Sequence, residues 1–125
     1  MLIANEEYTP WNVKYDVEVA VFRKLNPDNS STFIWDCTKS QWFYRDEKDN
    51  KLYIPRYIRS IEETMKILEY LMDVWKGGEI GLISRKEGGK AVSVTNGEEV
   101  KTGPFYASSQ EAVLYFFVSV KRWPR

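Results

Sequence analysis

"YIPRYIRSIEETMKILEYL", residues 53–71, decides the fold, because an extended segment stops and a helix starts within it. Pro55 removes a backbone donor and ends any strand that reaches it. Ser60 followed by Glu63 has capping-box spacing, in which the hydroxyl and the carboxylate each take a backbone amide of the first turn. Ile61, Met65, Leu68, Met72 and Trp75 then recur at three-and-four spacing and predict one apolar face. Glu62 and Lys66 are spaced to pair on the outer side. Gly77 and Gly78 supply a left-handed stop, so the expected helix is 61–76.

Downstream, "EIGLISR" and "KAVSV" predict strands at 79–85 and 90–95 around the glycines of "KEGGK", and "NG" at 96–97 marks another tight turn. Ser108 and Glu111 repeat the capping box and open a helix over 109–121, ended by Trp123-Pro124. Its apolar stripe is Ala112, Val113, Phe116, Phe117 and Val120, yet Leu114, Tyr115 and Val118 lie off that stripe. A helix apolar on nearly every side must be covered on every side. The expectation is a second copy of the chain as part of that cover, hence a homo-oligomer.

Upstream, "TFIWDC" predicts a strand within 31–37, and "QWFYR" and "KLYI" flank the polar "DEKDN" as the arms of a hairpin. Residues 12–25, "NVKYDVEVAVFRKL", carry two competing patterns. Val13, Val17, Val21 and Leu25 repeat at helical spacing, whereas Val17, Val19 and Val21 alternate as in a strand. The helix is slightly favoured. The fold class is therefore α+β, with helices packed on a small, mostly antiparallel sheet. One domain over 1–125, with its core in 12–121, suits a chain of 125 residues.

Eighteen basic residues balance eighteen acidic ones, so no overall field favours bulk nucleic acid or an anionic membrane. The longest apolar run, 112–118, is far too short to span a bilayer, and the N-terminus lacks a signal-peptide pattern. The single cysteine, Cys37, forbids an internal disulfide and fits a reducing, cytoplasmic location.

There is no histidine, which removes the Ser-His-Asp triad, the Cys-His pair and the usual zinc sites. Cys37 lies in an apolar strand pattern and reads as a buried structural thiol. No phosphate-binding glycine motif occurs, and the acidic run "DEKD" is interrupted by lysine, as in a solvated loop. No cofactor or metal is expected, and an enzyme is the disfavoured class.

Five tryptophans, eight tyrosines and six phenylalanines remain, several beside arginine in "WFYR", "YIPRYIR" and "KRWPR". Most such rings fill a core. Arginine also offers a bidentate fork for phosphate, and an aromatic face stacks on a nucleobase. Arg56 and Arg59, with Tyr57 and Tyr53, are the candidate ligand-binding residues, because a helix start concentrates positive potential beside them. Ser60 and Glu63 already occupy amides there, so the arginines must supply most of the attraction.

The same segment resembles the proline–tyrosine–serine–isoleucine lead-in to the central helix of the phage α-β-α sandwich domain, with Pro55, Tyr57, Ser60 and Ile61 at the matching positions. "DVEVAV" resembles that family's first helix, and "YASSQEAVLYF" sits at its final helix, with Gln110 and Glu111 replacing the usual proline context. The resemblance implies a phage or prophage gene and an α-β-α sandwich, but no activity. Two functions stay open. One is a non-catalytic protein that sequesters a small anionic or nucleotide host immune signal and so counters antiphage defence. The other is a protein-interaction module that inhibits a host enzyme or assembles with phage proteins.

Overall fold

The computed structural model describes residues 15–75 and 78–120. Its architecture is α+β, with helices packed on small antiparallel sheets, two of them, each three-stranded. The chain divides into two compact units, Met1–Arg56 and Tyr57–Arg125, each with its own sheet.

In the first unit, α1 (Val17–Leu25) precedes β1 (Ile34–Asp36), β2 (Gln41–Arg45) and β3 (Lys51–Tyr53), joined as an antiparallel meander in the order β1-β2-β3. The contest over 12–25 resolves as helix from Val17 onward; Val13 lies outside the described residues. Val17 and Val21, one turn apart, are both buried, while Val19 joins Tyr15 and Phe22 against the aromatic core. The alternating valines thus face two sides of one helix. Phe33, Trp35, Trp42 and Ile54 form that core, with Tyr44 packed against it. Trp35 and Trp42 are direct cross-strand partners, their rings 5.2 Å apart and inclined at 67°, an edge-to-face arrangement that ring quadrupoles favour. The Trp42 indole donates to the Tyr15 carbonyl at 3.1 Å, so its buried N–H is satisfied.

In the second unit, a 3-10 turn at Tyr57–Arg59 leads into α2 (Ile61–Val74). The strands β4 (Gly78–Ser84), β5 (Lys90–Asn96) and β6 (Glu99–Thr102) then form a second antiparallel meander with β5 central, followed by α3 (Ser109–Ser119). Ser60 caps α2 by accepting from the Glu63 amide at 3.2 Å. The reciprocal half of the expected box is replaced by an ion pair: Glu63 meets Lys66 at 3.5 Å, and it is Glu63 rather than Glu62 that takes the lysine.

The buried face of α2 is rotated from the expected stripe. Thr64, Ile67, Leu68 and Leu71 are buried, whereas Ile61, Met65 and Met72 are 52%, 38% and 49% exposed. A threonine holds the centre because its hydroxyl donates to the Tyr57 carbonyl at 3.1 Å, which satisfies both groups without water. The helix also ends differently. Trp75 closes it in an extended conformation, with its amide on the Leu71 carbonyl, and Gly78 is already strand. A Cβ on Gly78 would collide with the Thr95 carbonyl oxygen, so this glycine serves close strand approach. Gly77, like Trp123 and Pro124, lies outside the described residues.

Helix α3 is capped by Ser108, whose hydroxyl accepts from the Glu111 amide at 3.1 Å and lies 3.0 Å from its carboxylate. Ala112, Val113, Leu114 and Phe117 are buried, and within the helix only Ser119 is exposed. Its neighbours are α2, β4, β5 and the Tyr57–Arg59 turn. The chain itself covers the side of α3 that carries Ala112, Val113, Leu114 and Phe117, while Tyr115, Phe116 and Val118 are half-buried. Among the described residues, no helix is long and apolar enough to cross a membrane.

Candidate functional site

The strand expected over 31–37 is shorter in the structure, and its last residue, Asp36, starts a turn that runs to Ser40. Asp36 is fully buried. Its Oδ1 accepts from the Thr38 and Lys39 amides, both at 3.0 Å, and its Oδ2 accepts from the Tyr53 hydroxyl at 2.6 Å. Burial pushes the Asp36 carboxyl up. The Tyr53 hydroxyl, the Lys39 and Thr38 amides and the Lys51 ammonium outweigh it, and the carboxyl lies below its usual range. Ser40 closes the turn in the left-handed region, at φ 51°.

Cations gather on this turn. The Lys39 ammonium sits 4.4 Å from the centre of the Tyr53 ring, and the Arg56 Nη2 donates to the Lys39 carbonyl at 2.9 Å. Lys51 pulls electrostatically on Asp36 and lies 5.0 Å from the centre of the Phe43 ring, which in turn packs on Tyr53 at 5.4 Å. Lys39 and Arg56 are exposed, and Tyr53 is half-buried.

Two of the four candidate residues, Tyr53 and Arg56, therefore meet at one turn of the first unit. Tyr57 and Arg59 belong to the second unit. Tyr57 is only 5% exposed, and its carbonyl is taken by Thr64, so its ring is core rather than a stacking platform. Arg59 is half-buried in the 3-10 turn. Sequence reasoning missed Asp36, Lys39 and Lys51. The signal was present in "DCTKS", where an aspartate two residues before a threonine is suited to bond the turn amides, but the apolar run before it read as a continuing strand.

Cys37 is exposed at the first position of this turn, not buried as expected. Once Asp36 bends the chain, the strand alternation that would have placed the thiol on an inner face no longer applies. The "DEKDN" loop is self-contained. Asp46 Oδ1 accepts from the Lys48 and Asn50 amides, and these bonds, that of Asn50 first, hold its carboxyl below the ordinary value. Among the described residues, no three His, Cys, Asp or Glu side chains are grouped to hold a metal ion.

Compared with protein-family models, with curated protein sequences and with solved structures, the chain matches none.

Proposed function

We propose that the protein is a non-catalytic binding protein that captures a small anionic ligand of the nucleotide class at the Asp36–Ser40 turn. One observation carries the reading. Lys39 and Arg56 meet on the turn that Asp36 builds, the Lys51 ammonium acts on the Asp36 carboxylate, and the two oxygens of that carboxylate already accept hydrogen bonds from Thr38, Lys39 and Tyr53. The turn keeps an excess of positive charge beside a half-buried aromatic ring, the pairing that suits a phosphate joined to a base. The resemblance to the phage sandwich domain implies a phage or prophage gene, and by analogy with that setting the ligand is a host-made nucleotide signal whose capture would blunt antiphage defence.

Calorimetry with a panel of cyclic and linear nucleotides, and mass spectrometry of small molecules released on denaturation, test this. Lys39→Ala with Arg56→Ala should weaken binding more than tenfold and steepen no other property of the free protein, since exposed cations contribute little to folding. Loss of binding through Arg59→Ala with Lys39 and Arg56 intact would move the site to the second unit. Absence of any nucleotide binding would end the proposal. The second reading, an interaction module, is favoured by the outward Ile61, Met65 and Met72 of α2, an apolar strip of the kind protein partners cover.

A further inference from the structure

The second unit contains a cavity of about 240 Å³ between β5, α3 and the segment 103–106. Val92, Pro104, Ala112 and Phe116 supply its apolar walls, and the Tyr106 and Tyr115 rings complete it. We propose that this cavity is a binding site for a small, neutral, planar aromatic molecule, separate from the anion site and resting on different observations.

Size sets the first limit. A dry cavity of about 150 Å³ lined by apolar side chains accepts benzene. The larger volume here admits one ring with a fused or attached group, and falls short of the range usual for drug-sized ligands. Charge sets the second. Among the described residues that line it there is no carboxylate, ammonium or guanidinium, so an ionised ligand would lose its hydration without gaining a partner there. Shape sets the third. The Tyr106 and Tyr115 rings are 5.0 Å apart and inclined at 33°, too close to admit a third ring between them. The pair acts as a single aromatic wall against which a planar molecule lies.

The walls are held in place before any ligand arrives. Tyr106 and Lys90 exchange two backbone hydrogen bonds, both at 2.7 Å, and the Gly103 amide donates to the Val92 carbonyl at 2.9 Å. At the rim, the exposed Ser119 hydroxyl donates to the Tyr115 carbonyl at 2.6 Å, which leaves its oxygen as an acceptor for a ligand N–H or O–H. Gly103 contributes room: a Cβ there meets only the Val92 carbonyl oxygen, at an ordinary 3.5 Å.

Indole is the probe. Titrated into the intact protein, it should bind saturably at one site and shift the methyl resonances of Val92 and Ala112, with nuclear Overhauser contacts to Tyr106. Gly103→Leu should fill the space and weaken indole binding at least tenfold, while Lys39→Ala with Arg56→Ala should leave it unchanged. The contacts to Val92 and Ala112 are read on the unsubstituted protein, so the test survives a variant that fails to fold. Non-saturable binding, contacts elsewhere on the chain, or equal affinity for the anion indole-3-acetate would overturn the proposal.

Discussion

Replacing Tyr53 by phenylalanine removes one atom and tests the architecture of the cationic turn. The ring keeps its packing on Phe43 and its place under the Lys39 ammonium. Only the 2.6 Å hydrogen bond to Asp36 is lost, and it leaves a buried carboxylate oxygen without that donor. A hydrogen bond to a charged group is worth about 1.5–3 kcal/mol, so the expected loss is about 2 kcal/mol at neutral pH. The pH dependence separates this cause from altered packing. Asp36 has a folded-state pKa below the ordinary value of an aspartate, so its contribution is present above that ordinary value and is lost as pH falls through the lower, folded one. Without the Tyr53 donor, burial pulls the folded value back up, and the variant sheds the contribution sooner. Once Asp36 is protonated in both proteins, below its folded value, the difference should shrink. Urea unfolding followed by the fluorescence of Trp35 and Trp42, which report on this unit, measures it at pH 7 and again near the acid limit of the folded state. An equal loss at both pH values would refute the electrostatic account and leave a packing defect.

The remaining predictions concern the second unit. Leu71→Ala, at a fully buried position of α2, should cost about 2–5 kcal/mol, whereas Met65→Ala on the same helix should cost under about 1 kcal/mol; chemical denaturation of the two variants side by side decides which face is core. Gly78→Ala should destabilise by about 2 kcal/mol or more, because the backbone of β4 must withdraw from Thr95, and amide exchange in β4 and β5 should show the loosening.

What was legible in the sequence was whatever a single segment could state about itself. The two serine caps, the helices that follow them and the arms of the 41–54 hairpin depend on neighbours a few residues away, and all are present. The face each helix buries depends on distant partners, and there the apolar pattern misled. Ile61, Met65 and Met72 are spaced like a core stripe, but the helix turns Thr64, Ile67, Leu68 and Leu71 inward instead, and the Thr64 hydroxyl is buried as a second donor to the Tyr57 carbonyl. Strand β6 had no hydrophobic signal because none of its residues is buried. At the candidate site, Arg56 and Tyr53 were visible as chemistry, but Lys39 and Asp36 joined them only through a turn that an apolar run disguised. The fate of Tyr57 followed from the same limit, since nothing local distinguishes a tyrosine that stacks on a ligand from one that fills a core.

The exposure of β6 has a consequence for how the protein lives at high concentration. A three-stranded meander ends in two open margins, and each could recruit the margin of another molecule and begin a fibre. On one of them lies a strand of only four residues, Glu99–Thr102, with Glu99 and Lys101 held 3.6 Å apart on its outward positions. A newcomer aligning there would have to strip water from both charges and would gain little apolar contact beyond Val100. The strand that contributes least to the interior thus acts as a selvedge, finishing the weave so that it does not run on into the next molecule.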